Sequence, residues 1–481
     1  MTGNRSKILR ILYRRSFSLL LVGILSCGSK KKMDPDVTKP NIIYILADDL
    51  GYGDLSSYGQ TKFSTPNIDA LAEEGILFTQ HYAGSSVCAP ARSSLLTGLH
   101  TGHTAIRGNK EVRPEGQIPL PEGTHTIAKL LKNEGYVTGA FGKWGLGFPG
   151  SEGDPLKQGF DTFYGYNCQR LGHHYYPYHL WHNDKKVILK GNSGANKEQY
   201  APSLIHQNAL NFIEKNKNKS FFLFYPSVIP HAELAAPKNY MDRFIGNYNP
   251  EKEYKGNDGG EDYREGKYES QKHPHAAFVA MITLLDDQVG EIVKKIKDLG
   301  LEENTLFIFT SDNGPHQEGG ADPDYFDSNA HLRGYKRDLY EGGIRVPLIA
   351  KWKGKITAGR TTDHISAFWD VLPTFADLTG TMVAPEIDGI SFLPTLLNRG
   401  NQQSHDYLYW EFHELDGRQA VRKDNWKLVK YGVKTNPKYF LFDLAKDPSE
   451  TINLAEEKPE KLHELKMLLT NARTESQDFK F

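Results

Sequence analysis

Four short apolar runs, each leading into residues with chemistry to offer, constrain this chain most. Ile42-Ile43-Tyr44-Ile45-Leu46 leads to Asp48-Asp49, and Tyr136 to Phe141 leads to Gly142-Lys143-Trp144. Phe221 to Tyr225 is followed by Pro230-His231, and Thr305 to Thr310 by Asp312-Asn313-Gly314. Runs this short, rich in β-branched and aromatic residues and lacking polar alternation, predict strands buried on both faces. Helical patterns lie between them, at Asn67 to Glu74, Thr126 to Asn133, Ala201 to Lys215 and His275 to Leu299. Strands alternating with helices predict an α/β fold with a mainly parallel central sheet flanked by helices. Ligands of such sheets sit beyond the carboxyl ends of the strands. The Asp, Lys, His and Asp-Asn termini are therefore expected to meet at one site.

The start of the chain reads differently. Arg5, Lys7, Arg10, Arg14 and Arg15 precede an apolar run from Phe17 to Leu25, which is too short to span a bilayer and ends at Ser26-Cys27-Gly28. This resembles a bacterial lipobox, with Cys27 lipidated and the protein exported to a periplasmic or cell-surface position on the membrane. A plain secretory signal is the alternative. The precursor carries 58 Lys+Arg and 59 Asp+Glu. Processing removes five basic residues and no acidic one, leaving a net acidic chain. A nucleic-acid binder would normally be basic.

The expected organisation is a signal peptide over 1–27, a tether over 28–40, a catalytic α/β domain over 41–400 and a C-terminal α+β subdomain over 401–481. The last rests on strand-like Tyr407 to Phe412, Gln419 to Arg422, Trp426 to Tyr431 and Tyr439 to Leu444, then a helical Pro459 to Thr474. They predict a small antiparallel sheet with a terminal helix. The polar, Gly-rich stretch from Asn239 to Gln271 reads as a surface insertion or lid.

The most specific segment is Cys88-Ala89-Pro90-Ala91-Arg92-Ser93-Ser94-Leu95-Leu96-Thr97-Gly98. Pro90 suits the first turn of a helix, which puts Cys88 at its N-terminus, where free N–H groups favour an anion. The segment matches C-x-P-x-R followed by T-G. Further motifs follow the same order: Asp48-Asp49-Leu50-Gly51, Gly142-Lys143-Trp144, Ser311-Asp312-Asn313-Gly314, and Lys336 with Tyr340-Glu341-Gly342-Gly343. Together they resemble the type I, formylglycine-dependent sulfatases of the alkaline-phosphatase-like superfamily, in the layout of bacterial arylsulfatase and N-acetylgalactosamine-sulfatase-type chains. The resemblance runs from Asn41 to the C-terminal subdomain.

That resemblance implies that a maturation enzyme oxidises Cys88 to formylglycine. A hydrated aldehyde has two hydroxyls on one carbon. One attacks sulfur, and the other, on losing its proton, lets sulfate leave and restores the aldehyde. Arg92 would hold the formylglycine. Asp48, Asp49, Asp312 and Asn313 offer only oxygen ligands, which suits Ca²⁺ or Mg²⁺ and disfavours zinc; the resemblance implies calcium. Lys143, His231 and Lys336 match positions that bind sulfate and assist the leaving group, with His231 as the leading general acid and Lys336 in support.

One departure stands out. Where the family reads G-K-W-H-L-G, this chain has Gly142-Lys143-Trp144-Gly145-Leu146-Gly147. The segment Gln169-Arg170-Leu171-Gly172-His173-His174 is expected to bind substrate through Gln169, Arg170, His173 and His174; either one of these histidines replaces the lost group, or the elimination step runs differently. Tyr178, His179, Trp181 and His182 continue it, either as stacking faces for a sugar or as a packed aromatic surface cluster. The reading is hydrolysis of an O-sulfate on an oligosaccharide or polysaccharide, tilted towards a galacto-configured sugar. Its alternatives are a phosphate or phosphonate monoester hydrolase and a catalytically silent glycan-binding lipoprotein.

Overall fold

Each of the four apolar runs is a strand, and each extends to its loaded end: Asn41–Ala47, Val137–Lys143, Phe221–Pro226 and Thr305–Ser311. The computed structural model describes residues 39–259, 264–383 and 386–481. The signal peptide, Cys27 and all but the end of the tether lie outside the described residues.

The four strands are neighbours in a large mixed sheet. Asn41–Ala47 is central, with Thr305–Ser311 parallel on one side and Phe221–Pro226 parallel on the other. Val137–Lys143 continues in parallel from Phe221–Pro226, and Thr162–Tyr166 follows it. Beyond Thr305–Ser311 the sheet turns antiparallel at Arg345–Lys351, which also pairs antiparallel with Ile76–Tyr82. Those last two strands, and the antiparallel pair His179–His182 and Lys185–Ile188 at the far edge, were not anticipated from the sequence.

The central strand shows why its run lacks polar alternation. Ile43, Ile45 and Ala47 enter the core on one face, and Ile42, Tyr44 and Leu46 the core on the other. Helices cover both faces, and their predicted positions hold to within a residue: Pro66–Glu73, Ile127–Asn133, Ala201–Asn216 and Pro274–Asp298. Three begin with proline in the first turn, where its missing N–H costs nothing. In the fourth, the Thr126 side chain accepts from Lys129 N at 3.2 Å.

Near the C-terminus, Leu408–Phe412, Arg418–Lys423, Trp426–Tyr431 and Lys438–Asp443 form an antiparallel sheet in sequence order. The Pro459–Asn471 helix packs on it through Leu465 and Leu469. Cys168, which the motifs leave without a role, is a core residue packed in the larger apolar cluster.

Candidate active site

Parallel pairing brings the strand ends together. The Asn41 and Thr305 strands end side by side, Ala47 opposite Ser311. Asp312 N donates to Ala47 O at 3.0 Å, and Asp49 N donates to the Asp312 Oδ1 at 3.1 Å. Asp49 turns its carboxylate inward from a left-handed backbone, φ 65°. A non-glycine residue pays for that conformation, and such strain clusters at functional sites.

Cys88 is the first residue of the Cys88–Thr97 helix, and every residue of this helix is buried. Its Sγ–H donates to Asp48 Oδ1 at 3.2 Å, with Lys143 Nζ 3.6 Å from the sulfur. Arg92, one turn along, donates through Nε and Nη2 to Asp312 Oδ2 at 3.1 and 2.9 Å, and its Nη2 lies 3.4 Å from Asp48 Oδ2. Its other nitrogen holds the Lys143 carbonyl. Lys143 Nζ donates to Asp48 Oδ2 at 2.6 Å. On the opposite side Lys336 Nζ donates to Asp49 Oδ2 at 2.7 Å and lies 3.1 Å from His231 Nε2. Asn313 donates through Nδ2 to Asp49 Oδ1 at 2.7 Å, while its Oδ1 is buried without a partner.

Three carboxylates and three cations are thus buried together, which is tolerable only because they pair. Burial would raise the Asp48 carboxyl, but Lys143, Arg92 and Lys336 hold it well below the usual range. Asp312 goes the other way: burial and the charge on Asp48 push it up to about 7. Burial, Asp312 and Asp48 also push the Cys88 thiol well up, so the unmodified sulfur stays protonated and unreactive. Burial together with Lys336 and Lys143 keeps the His231 ring neutral.

The cluster closes the end of a polar cleft of about 580 Å³, whose walls include Cys88, Gln169, Arg170, His173, His231 and Lys336. A nucleophile position faced by buried cations and acid–oxygen groups suits transfer of an anionic group.

The Sulfatase family model matches residues 40–381, and the model for the C-terminal part of N-sulphoglucosamine sulphohydrolase matches 331–477. The chain belongs to the sulfatase family. Among its relatives, the N-acetylgalactosamine-6-O-sulfatase of Bacteroides thetaiotaomicron is 30% identical, over 95% of this chain and 98% of that protein. Rattus norvegicus N-acetylgalactosamine-6-sulfatase is 31% identical, over 79% of this chain and 68% of that one. Among solved structures, Ps i-CgsB in complex with k-i-k-neocarrahexaose superposes with a TM-score of 0.75 at 29% identity, covering 92% and 94% of the two chains. The protein is a sulfuric ester hydrolase of the alkaline-phosphatase-like fold.

The sulfatase does not bring all the expected residues to its cleft. His174 is a correction. It is wholly buried, its Nε2 accepts from Gly266 N at 2.8 Å, and its Nδ1 faces Glu233 at 3.3 Å. Both ring nitrogens are thus committed to holding the loop. His173 does line the cleft, stacked on His231 with centroids 5.0 Å apart. Arg170 lies on the wall, paired with Glu111 at 2.6 Å and Glu265 at 2.7 Å. Of the two readings of the aromatic segment, His179 and Trp181 fit the packed one: they belong to the edge hairpin, both bind Glu115, and neither is among the residues that line the cleft.

Sequence reasoning also missed a layer around Lys336. Glu318 lies 3.6 Å from Lys336 Nζ and accepts from Arg337 at 2.5 Å and from Tyr268 OH at 3.0 Å. Glu318 closely follows the Asp312-Asn313-Gly314 turn, which is a usable signal. Tyr268 comes from the polar insertion, part of which walls the cleft, and nothing local marks it.

Proposed function

We propose that this sulfatase removes an O-sulfate from a galacto-configured carbohydrate, with Cys88 converted to formylglycine and a divalent cation, calcium before magnesium, at its base. The observation that carries the reading is Cys88 Sγ lying 3.2 Å from Asp48 and 3.6 Å from Lys143 at the closed end of a polar cleft. A thiol held protonated is a poor nucleophile, so residue 88 in its encoded form has little to offer here. Conversion to a hydrated aldehyde would supply an oxygen nucleophile at the same position.

Asp48, Asp49, Asp312 and Asn313 fit a hard cation. Their donors are all oxygen, their carboxylates crowd one another, and Asn313 Oδ1 is buried and unpartnered. A bound cation would supply Lewis-acid polarisation of a sulfate oxygen. Arg92 keeps Asp312 and the Lys143 carbonyl in fixed relation to residue 88. Lys143, 3.6 Å from the sulfur, and Lys336, on the cleft wall with Cys88, bring positive charge to the nucleophile position from two directions, where sulfate oxygens need it.

For the leaving oxygen, the proton is best assigned to the Lys336–His231 pair with the roles reversed from the sequence expectation. His231 Nδ1 bonds to the Ala232 carbonyl, an acceptor, so Nδ1 carries the ring proton and Nε2 offers a lone pair to Lys336. Burial and neighbouring lysines keep that ring neutral, whereas Asp49 holds Lys336 protonated against its own burial. Lys336 Nζ therefore holds the mobile proton, and His231 orients it and can take its place when it moves.

Support for a carbohydrate comes from the relatives' names and from a cleft wall dominated by charged and amide side chains. The N-terminal Cys27 motif supports an exported, lipid-anchored protein that meets its glycan outside the cytoplasm. Turnover of an aryl sulfate, an aryl phosphate and a panel of sulfated galactosides, with mass spectrometry of the Cys88 peptide, tests the reading. Sulfate release with an aldehyde at residue 88 is expected. A preference for phosphate would overturn it.

A further inference from the structure

Gly145 stands where the family motif carries histidine, and its surroundings explain how this chain does without one. Its backbone is left-handed at φ 78°, a conformation glycine adopts freely. A Cβ there would lie 2.0 Å from Gln169 Nε2 and 2.8 Å from Gln169 Cδ. The Gln169 carboxamide therefore fills the space that any side chain at 145 would enter first. The glycine and the glutamine are one coupled feature.

The carboxamide is placed as a ligand-binding group. Gln169 is 7% exposed and lines the cleft together with Cys88. Both its Nε2 and its Oε1 are buried without a hydrogen-bond partner. Burying an amide with neither end paired is costly, and such groups call for an explanation. The turn that follows Gln169 packs against Lys143, whose Cδ is 3.1 Å from the Cβ position of Gly172. The turn that Gln169 leads into thus packs on the buried lysine that lies 3.6 Å from the Cys88 sulfur. Gln117, 3% exposed with an unpartnered Oε1, lies on the same wall, its N–H on the Gly147 carbonyl at 3.2 Å.

The histidines expected to fill the role are engaged elsewhere. His174 has both nitrogens committed to the loop. His173 donates through Nδ1 to the Gly266 carbonyl at 2.8 Å and stacks on His231, which ties it to the leaving-group side.

We propose that Gln169 is a sulfate-binding residue, its Nε2–H donating to a non-bridging sulfate oxygen in the space vacated at Gly145. The proposal rests on the reading of residue 88 as the sulfate acceptor. A carboxamide neither gives nor takes a proton near neutral pH, so this wall binds sulfate without adding an ionisation to the pH–rate profile.

The test uses the full-length, matured enzyme. Calorimetric titration with inorganic sulfate and kcat/KM on an aryl sulfate are measured for wild type, Gln169→Ala and Gln169→Glu, with thermal melting to follow folding. Gln169→Ala is expected to weaken sulfate binding and kcat/KM by about 10- to 100-fold, the loss of one hydrogen bond to a charged group. Gln169→Glu keeps the shape but places a carboxylate against sulfate. It should lose more, and recover as pH falls and the carboxyl protonates. Gly145→His combined with Gln169→Gly is expected to restore binding and to add a histidine ionisation to the pH–rate profile. Unchanged sulfate affinity in Gln169→Ala, or in Gln169→Glu if the alanine variant fails to fold, would overturn the proposal. Failure of the wild type itself on aryl sulfate would instead overturn the functional reading.

Discussion

Replacing Lys427 with methionine probes how the C-terminal sheet supports the active site. Lys427 lies on the Trp426–Tyr431 strand, and its ammonium is fully buried between Glu341 Oε1 at 2.8 Å and Glu450 Oε1 at 3.0 Å. Glu341 also accepts from Tyr82 OH at 2.6 Å, and Glu341 N donates to Glu450 Oε2 at 2.6 Å. Glu341 closes the segment that carries Lys336, so the cluster anchors that segment to the C-terminal sheet. Burial would raise both carboxyls. Lys427 and Arg422 hold Glu341 at about 2, whereas burial leaves Glu450 up at about 7. Methionine keeps the length and removes the charge, stranding both acids. Removing one member of a buried ion pair costs about 3–5 kcal/mol, a large share of a total stability of about 5–15 kcal/mol. Urea unfolding followed by tryptophan fluorescence at about pH 7.5 should show that loss. Without Lys427 both folded-state carboxyls lose their largest lowering charge, so both are expected to titrate higher than in the wild type. A group whose folded pKa moves up binds its proton more readily in the folded state as pH falls, so the deficit should shrink towards about pH 5.5. In the wild type the sign is opposite for Glu341: its stabilisation is present above 4.5 and is lost as pH falls towards 2. The exposed Lys157–Glu152 pair, also at 3.0 Å, is the control, and Lys157→Met should change stability by less than about 1 kcal/mol. A Lys427→Met deficit no larger than that control, or one that grows on acidification, would refute the reasoning.

Other outcomes follow from the site. Cys88→Ala should abolish sulfate release while leaving the melting temperature near that of the wild type; residual turnover of more than a few per cent would count against residue 88. Chelation with EGTA should remove activity and added Ca²⁺ should restore it, with Asp49→Asn needing far more Ca²⁺ than the wild type. Lys336→Ala should lose about 10²- to 10⁴-fold on sugar sulfates but much less on an aryl sulfate, whose leaving oxygen needs no proton. His231→Ala should follow the same pattern with a smaller loss, since Lys336 holds the proton.

The strands that carry the site announced themselves in the chain because their burial on both faces needs continuous apolar runs, and that is a local property. Ile42 to Leu46 reads as a central strand with no knowledge of its neighbours, and the residues after it are placed by the direction of a parallel sheet alone. The acidic strand ends followed in the same way, whereas the segment from Cys88 to Gly98 was legible through its resemblance to a family motif. The contacts between distant segments are another matter. Nothing near Gly145 says that Gln169 fills its space, because that depends on how the turn after the Thr162–Tyr166 strand folds back over the cleft. His173 and His174 are adjacent, yet one faces the cleft and the other is locked under it by Gly266 and Glu233. Lys427 and Glu341 are 86 residues apart and meet only because the C-terminal sheet docks beside Tyr82. Backbone periodicity is written residue by residue, whereas side-chain partnership across the fold is settled by which strands and loops become neighbours, and only packing determines that.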